Sequence, residues 1–386
     1  MKNPTLFKMT AYSIALSMTL VACSKDDDDD MPKVNQVNDS KVETPATYEF
    51  QRNGSSSVSY SGQTDRLNQV AEMKAYIQDA TDNETSISEQ DLIAMFRNSG
   101  DNGGGNFSFT SSKQLENKTF QADQQYFLDL FASAALASDS ITVQAADGKA
   151  GILTRSSGSK FLVDTNGHEF TQAIEKGLMG ATFFYQIASV YLSDDKIGDA
   201  VNNTDLESGK NYTAMEHHMD EAFGYVGAPV DFKSNYNGTG NVRYWAKYSN
   251  SYDNLIGCND NLMDAFKTAR AAITAKEMEV KEEQVALINA EMEKIIAAST
   301  IHYINEAIQI GNSSEGDRIH VLSEAYYFLK ALKYASFEHR KISATQVQSL
   351  LDTFGINMWQ VSTTDLNQIK TTLSNTYELD SVKDQL

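Results

Sequence analysis

Apolar residues recur at helical spacing along most of this 386-residue chain. The clearest case is the region 264–310, where the apolar positions are Val285, Ile288, Met292, Ile295 and Ile296. Side chains three and four residues apart lie on the same face of an α-helix, so the pattern predicts a helix with one side in a core. The region is also rich in Ala, Glu, Lys and Met, which favour the helical conformation.

Comparable patterns predict helices along much of the remaining chain. They cover residues 65–80, 88–98, 121–137, 169–192, 212–225, 317–336, 344–354 and 360–377. Proline interrupts helices most strongly, and its four occurrences, at positions 4, 32, 45 and 229, leave long parts of the chain uninterrupted. The sequence therefore predicts an all-α protein.

Breaks in the helical pattern predict where the chain turns. Residues 46–60 carry aromatic and apolar side chains around Asn53-Gly54, which predicts a short β-hairpin or an extended arm at the N-terminal side of the helices. Residues 101–105 and 147–158 are rich in Gly and Ser, which predicts loops.

A segment around Pro229 predicts a division of the chain into two helical bundles. Gly227, Gly238 and Gly240 accompany the proline, and such residues favour turns over helices. The arm and the first bundle would span residues 47–229, and the second bundle would span residues 230–386.

One motif occurs in both predicted halves: a histidine is followed four residues later by Glu-Ala, with aromatic residues beyond. The first copy contains His217 and Glu221, and the second, 103 residues later, contains His320 and Glu324. Residues four apart lie one helical turn apart, so each copy would present an imidazole and a carboxylate together. The repeat predicts two bundles related by internal duplication. If the two helices pack against each other, the four side chains, all of which can bind a metal, would lie at one interface.

The N-terminus has the features of an export signal. Lys2 and Lys8 precede an apolar stretch, residues 12–22, that is too short for a permanent membrane span and predicts a signal peptide. The sequence Leu-Val-Ala-Cys at 20–23 resembles the lipobox of bacterial lipoproteins. That resemblance implies that residues 1–22 are removed and that Cys23 is acylated, which would anchor the protein in a membrane. The alternative is an ordinary secreted protein with an incidental cysteine.

An acidic segment follows the predicted lipidation site. Lys25 is followed by five aspartates, Asp26 to Asp30, and a run of like charges of this kind stays solvated. We therefore interpret residues 23–46 as an acidic tether. Lysine followed by acidic residues also resembles the surface-export signal of Bacteroidota lipoproteins. This resemblance implies an outer-membrane lipoprotein, in either the periplasmic or the cell-surface leaflet.

The net charge argues against nucleic acid as a partner, and the cysteine content argues against an intramolecular disulfide. The chain has 32 basic and 52 acidic residues, a formal net charge of −20, and loss of Lys2 and Lys8 with the signal would make it more negative. Such a protein is a poor candidate for binding nucleic acid, whose phosphates require a basic surface. The second cysteine, Cys258, has no cysteine partner besides Cys23, so an intramolecular disulfide of the mature chain is not expected.

Three segments together resemble the family of bacterial envelope proteins known as DUF4856, a branch of the imelysin-like group. They are Tyr60-Ser61-Gly62-Gln63-Thr64 with Arg66; His168-Glu169 with Gln172 and Lys176-Gly177-Leu178-Met179-Gly180-Ala181; and His217 to Tyr225. The resemblance covers most of the chain, from about Tyr48 to Phe354. It implies two helical bundles in the bacterial envelope, an association with iron uptake, and a Gly-x-His-x-x-Glu signature.

The chain matches the signature only in part, and either of two adjacent histidines could be the histidine of the signature. His218 and Glu221 match its His-x-x-Glu portion, but Glu216 stands where the signature has glycine. The internal repeat instead pairs His217 with His320. Both histidines can reach Glu221, and we favour His218 because it matches the family signature. Adjacent helical residues point about 100° apart, so both would not face one ion easily.

The candidate metal ligands are His218, Glu221, His217, His320 and Glu324, with Glu169, Glu175 and Asp220 as further candidates. Mixed imidazole and carboxylate ligands suit iron, zinc or copper better than calcium. The alternative is that Glu221 and Glu324 are buried groups paired with histidine, tyrosine or arginine, and that the motif marks a duplicated fold.

Neither His-Glu-x-x-His nor a Gly-x-Ser-x-Gly elbow is present, so no motif indicates a peptidase or a serine hydrolase.

Two functional hypotheses follow. The first is a lipid-anchored envelope protein that binds iron or another transition metal, or a ligand carrying it, and passes it to an outer-membrane receptor or uptake system. The second is a metal-free outer-membrane scaffold that binds a receptor or adhesin.

Overall fold

Helices dominate residues 42–386, the part of the chain that the computed structural model describes. The α-helices of this part are α1 (Ser61–Asp82), α2 (Glu89–Phe96), α3 (Gln124–Ser138), α4 (Phe170–Leu178), α5 (Asp194–Ile197), α6 (Ala214–Gly224), α7 (Tyr244–Ile256), α8 (Cys258–Ala275), α9 (Met278–Ile310), α10 (Glu315–Ala331), α11 (Ala344–Phe354) and α12 (Thr363–Thr376). Short 3₁₀ turns and two small antiparallel hairpins connect some of them. The predicted all-α class is confirmed.

The N-terminal arm contains the predicted hairpin. Strand β1 (Gln51–Arg52) pairs with β2 (Ser55–Ser56) across Asn53-Gly54. Both turn residues have positive φ, 53° and 76°, the backbone conformation that favours asparagine and glycine in two-residue hairpins. The Asn211 side chain donates hydrogen bonds to the carbonyls of Arg52, Ser55 and Ser56, which holds the arm beside the start of α6.

A second hairpin begins within residues 147–158, where the sequence predicted only a loop, and extends beyond them. Strand β3 (Gly151–Thr154) pairs antiparallel with β4 (Lys160–Val163), and the interior of both strands is buried. Each strand has only four residues, too few for alternation of apolar and polar side chains to appear as a pattern. Strand β4 packs against α1, α3 and α4, and β3 packs against α10, so tertiary contacts stabilise the hairpin.

The predicted helix 264–310 is two helices rather than one. Helix α8 ends at Ala275, Lys276 adopts a left-handed conformation with φ of 63°, and α9 begins at Met278. No glycine or proline marks this turn, so the apolar pattern appears continuous across it. Helix α7, which the pattern did not predict, precedes α8, and both pack against α9.

Helix α4 forms the centre of the fold. It continues into two π-helical segments, Met179–Phe184 and Gln186–Tyr191, and packs against α1 and α10. A Cβ atom at Gly180, in the first of these segments, would lie 2.8 Å from Cβ of Ala331, so glycine permits the close approach to α10. Because α4 precedes Pro229 and α10 follows it, helices from the two proposed halves share one core. The boundary at 229/230 and the duplication stay predictions.

The predicted signal peptide, Cys23 and most of the acidic tether fall outside the described residues. Within residues 42–386, no helix combines the length and the apolar character that crossing a membrane requires.

Candidate functional site

The first copy of the motif lies on α6, and its local sequence explains where that helix begins. Thr213 accepts a hydrogen bond from the backbone N–H of Glu216, while the Glu216 carboxylate accepts one from the N–H of Thr213. The capping box fixes the register that places His217 and Glu221 on one face. Nε2 of His217 lies 4.0 Å from Oε2 of Glu221, and both side chains are partly exposed. The His217 ring stacks on Tyr212 with 4.5 Å between centroids.

Glu221 is held in place by two neutral donors. Its Oε1 accepts hydrogen bonds from Nε2 of Gln63 (2.9 Å) and from the hydroxyl of Tyr191 (3.0 Å). The Tyr191 hydroxyl in turn accepts one from Nζ of Lys118 at 2.8 Å. Burial, together with Tyr225 and Glu221, raises the pKa of Tyr191, so this hydroxyl keeps its proton. The second oxygen of Glu221, Oε2, faces His217 without a hydrogen-bonded partner in the described chain.

His218 has a different environment from His217. Its Nδ1 lies 2.6 Å from the carbonyl oxygen of Lys196 in α5, and because a carbonyl can only accept, Nδ1 carries the proton. Burial lowers the pKa of His218, which favours the neutral ring. The structure therefore places His217 beside Glu221, whereas His218 points toward α5.

A pocket of about 400 Å³ opens between the first turn of α1 and α6. We call it the α1–α6 pocket. It is lined by Ser59, Tyr60, Ser61, Gly62, Gln63, Arg66, Lys113, Lys118, Glu207, Lys210, Tyr212, His217 and Glu221. Most of these side chains are polar, and four are cationic. The first copy of the motif therefore forms one wall of a positively charged cavity.

The cations of the α1–α6 pocket lack acidic partners. None of Arg66, Lys113, Lys118 and Lys210 has a carboxylate oxygen of residues 42–386 within the 4.0 Å of an ion pair. Arg66 is buried and donates from Nε and Nη1 to the backbone carbonyls of Gln114 and Gly62. Burial, with Arg66 nearby, lowers the pKa of Lys118. Their positive charge is therefore not cancelled by a direct contact.

The second copy of the motif, on α10, is a closed ion-pair network. Nδ1 of His320 lies 2.6 Å from Oε2 of Glu169, and Nε2 lies 3.4 Å from Oε2 of Glu324. Burial by itself lowers the pKa of His320. The carboxylates of Glu169 and Glu324 have the larger effect and raise this pKa to about 9. Lys176, itself buried, lies 3.4 Å from the other oxygen of Glu324. Both ring nitrogens of His320 are therefore occupied as donors.

A second pocket of about 400 Å³ adjoins His320, but its charges are paired. Lys74 pairs with Glu175 at 2.8 Å, Arg155 with Asp317 at 3.0 Å and Lys160 with Glu84 at 3.1 Å. The two pockets thus have similar volumes and different electrostatics. In the His320 pocket every rim cation already has an anionic partner.

Asp220, a further candidate ligand, lies in a buried network away from both pockets. Its Oδ1 is 3.0 Å from Nε of Arg270, and Oε1 of Glu216 is 3.0 Å from Nη1 of the same arginine. Arg52 also pairs with Glu216, at 2.8 Å. Arg270 is fully buried, and Tyr48 donates a hydrogen bond to Asp220. This network joins the N-terminal arm, α6 and α8.

The candidate ligands therefore fall into separate groups. His217 and Glu221 meet in one pocket, while His320, Glu324 and Glu169 meet in the other, and the two groups share no contact partner. Within residues 42–386, no set of three or more histidine, cysteine, aspartate or glutamate side chains has a metal-binding arrangement. A metal role for these residues stays a prediction.

Sequence reasoning missed most of the residues around Glu221. Gln63 and Arg66 belong to a segment that resembles the family, but their place beside Glu221 depends on how α1 packs. Lys113 and Lys210 lie in loops, Lys118 ends a short 3₁₀ turn, and Tyr191 ends the π-helical continuation of α4. Isolated lysines in loops carry no pattern that could have identified them.

The sequence model of one family, described as Domain of unknown function (DUF4856), matches residues 45–380. No curated protein and no solved structure matches the chain significantly.

Proposed function

The chain belongs to the DUF4856 family, and on that premise we propose that it is a lipid-anchored envelope protein that binds a transition metal carried by an anionic chelator. The α1–α6 pocket is the binding site in this proposal. The metal and the envelope location come from the sequence and from the imelysin-like resemblance. The anionic form of the cargo comes from the charges of the pocket.

The observation that carries the proposal is the combination of two metal-capable groups with four unpaired cations. His217 and Glu221 supply at most two donors, fewer than the three or four protein ligands of usual zinc sites. A bare cation would also meet repulsion from Arg66, Lys113 and Lys118. A chelator with several carboxylates resolves both difficulties, because it supplies further oxygen ligands and brings negative charge. A metal held in this way would add Lewis-acid and redox chemistry to the site.

Titration of ferric citrate into the mature chain, residues 23–386 in detergent micelles, tests this function. We expect saturable binding with one chelate per chain, and His217→Ala should weaken it about tenfold because one donor, worth on the order of 1.4 kcal/mol, is lost. The same substitution at His302, which is partly exposed and lies 3.6 Å from Glu306, is the matched control and should leave binding unchanged.

Isothermal calorimetry with iron, copper and zinc citrates would decide between the two hypotheses. Absence of heat with every chelate, from a folded protein, would contradict the proposal. The metal-free scaffold would then be the better hypothesis for this protein.

The membrane anchor is a separate part of the proposal, and it rests on the sequence around Cys23. When the full-length protein is expressed in a bacterium with a lipoprotein pathway, it should partition into Triton X-114 detergent. Cys23→Ser should move it to the aqueous phase, since the acyl chains provide the membrane affinity. Equal partitioning of the two proteins would exclude lipidation at Cys23.

A further inference from the structure

We infer that, in the absence of metal, the α1–α6 pocket recognises a small hydroxy-polycarboxylate, with its cations contacting the ligand's carboxylates and Glu221 accepting the ligand's hydroxyl. This inference deepens the proposed function and shares its site, but it concerns the organic anion and requires no metal.

The first argument is the contrast between the pocket and the rest of the molecule. The chain has a formal charge of −20, and acidic residues outnumber basic ones. The pocket nevertheless has four cations against two acids, Glu207 and Glu221. In the His320 pocket of similar volume, each rim cation is within 3.1 Å of a carboxylate. Cations that converge without such partners are suited to a ligand that brings the missing negative charge.

The second argument is that the backbone of Lys113 is held in place. The carbonyl of Lys113 accepts hydrogen bonds from the side chains of Gln69 and Asn98, so this loop is fixed while the ammonium group is free. The Lys113 side chain lies against Gly62, where a Cβ atom would be 2.9 Å from its Cε. Glycine therefore leaves the space in which Lys113 crosses the start of α1.

The start of α1 adds further positive character. The residue before this 22-residue helix, Tyr60, forms no side-chain cap, and the first turn contains no acidic residue. Its leading N–H groups lie at the lining residues Ser61 and Gly62. Free N–H groups at a helix start favour anionic ligands, and here they belong to residues that line the same pocket as the lysines.

One buried polar atom of the pocket lacks a partner. Nδ1 of His217, a lining residue, has no hydrogen-bond partner among the described residues. Buried polar groups are usually hydrogen-bonded, so this atom indicates that a ligand or ordered water completes the site.

The position of Glu221 explains why the ligand should carry a hydroxyl group. A carboxylate among the cations repels a purely anionic ligand, but it accepts a hydrogen bond from an alcohol. Its Oε1 is already occupied by Gln63 and Tyr191, whereas Oε2 is 4.0 Å from His217, which is too far for a hydrogen bond. The free oxygen therefore selects a ligand with a donor group beside its carboxylates. A polycarboxylate that lacks a hydroxyl fits this arrangement less well.

Calorimetric titration of the mature chain, in detergent and with metals removed on a chelating resin, tests the inference. The probes are citrate, tricarballylate, which lacks only the hydroxyl of citrate, and inorganic phosphate, all at one ionic strength. Citrate should bind, and tricarballylate should bind about tenfold more weakly through loss of one charge-assisted hydrogen bond. Lys113→Met and Lys118→Met should each weaken citrate binding about tenfold or more.

The matched control is Lys160→Met, which removes an exposed cation that is already paired with Glu84 and should leave citrate binding unchanged. Glu221→Gln should reduce the difference between citrate and tricarballylate, and thermal melts would verify that each variant is folded. Citrate affinity that is absent, or that is insensitive to Lys113 and Lys118, would overturn the inference. Phosphate binding as tight as citrate binding would overturn the assignment of the ligand class.

The outcomes also separate this inference from the proposed function. Citrate that binds without metal, while ferric citrate and the other chelates do not bind, would contradict the proposed function alone. Ferric citrate binding that depends on His217 but not on either lysine would contradict this inference alone.

Discussion

Arg270→Met is expected to lower the free energy of unfolding by about 4 kcal/mol, because it leaves two buried carboxylates without their shared partner. Arg270 and Asp220 have fully buried side chains, and that of Glu216 is 1% exposed. Glu216 would keep Arg52, but Asp220 would keep only hydrogen bonds from Tyr48 and from the backbone of Ser59.

The pKa values of the two acids explain why Asp220 is the more sensitive partner. Burial works against the charge on Glu216, yet Arg52 and Arg270 hold its pKa at about 2. Burial raises the pKa of Asp220 to about 7 although Arg270 opposes the rise. Without Arg270 this pKa would rise further. Since a raised carboxyl pKa costs stability as pH increases, the loss should be larger at pH 8 than at pH 6.

Urea unfolding followed by circular dichroism measures the effect. Arg97→Met is the matched control: it removes an arginine that is 46% exposed and paired with Glu116 at 3.0 Å, so at most about 1 kcal/mol should be lost. Adding Asp220→Asn to Arg270→Met should recover part of the loss, because one unpaired charge is removed. Equal losses for Arg270→Met and Arg97→Met would show that the buried network does not stabilise the fold as proposed.

His320→Gln is expected to cost on the order of 3 kcal/mol near pH 6 and much less near pH 10. The folded pKa of His320 is about 9, whereas an unperturbed histidine has a pKa of about 6.5. Because the pKa is raised on folding, the stabilisation is complete below about pH 6.5. It decreases as pH rises through 9, where the folded protein also loses the proton.

The pH dependence of stability is the readout, measured as the urea midpoint from pH 6 to pH 10. Wild type should lose stability relative to His320→Gln across that window, so the two curves converge at high pH. His302→Gln is the control, because His302 and Glu306 have the same i, i+4 spacing but are 32% and 42% exposed. A constant offset between wild type and His320→Gln at every pH would contradict a charged His320.

The sequence predicted the helices well because their cause is local. The three- and four-residue recurrence at Val285, Ile288 and Met292 reflects burial of one helical face, and all three side chains are in the core. The turn at Lys276 and the hairpin of β3 and β4 were missed, because a single left-handed residue and four-residue strands leave no periodic signal. These elements depend on tertiary packing.

The candidate site was predictable only within one helix. The pairs His217–Glu221 and His320–Glu324 follow from helical spacing, and the structure places each pair together. Spacing could not show that Glu169, 151 residues from His320, closes the second pair into an ion-paired network. Nor could it show that four cations surround the first pair without acidic partners. Those differences arise from contacts between distant segments, and they distinguish an open pocket from a structural ion pair.

The position of the metal tests the central claim most directly. A crystal soaked with ferric citrate, with diffraction recorded at the iron absorption edge, should show one anomalous peak in the α1–α6 pocket, next to Nε2 of His217 and Oε2 of Glu221. The citrate carboxylates should contact Lys113 and Lys118. Iron beside His320, or on the outer surface with the α1–α6 pocket empty, would contradict the assignment of this pocket as the binding site.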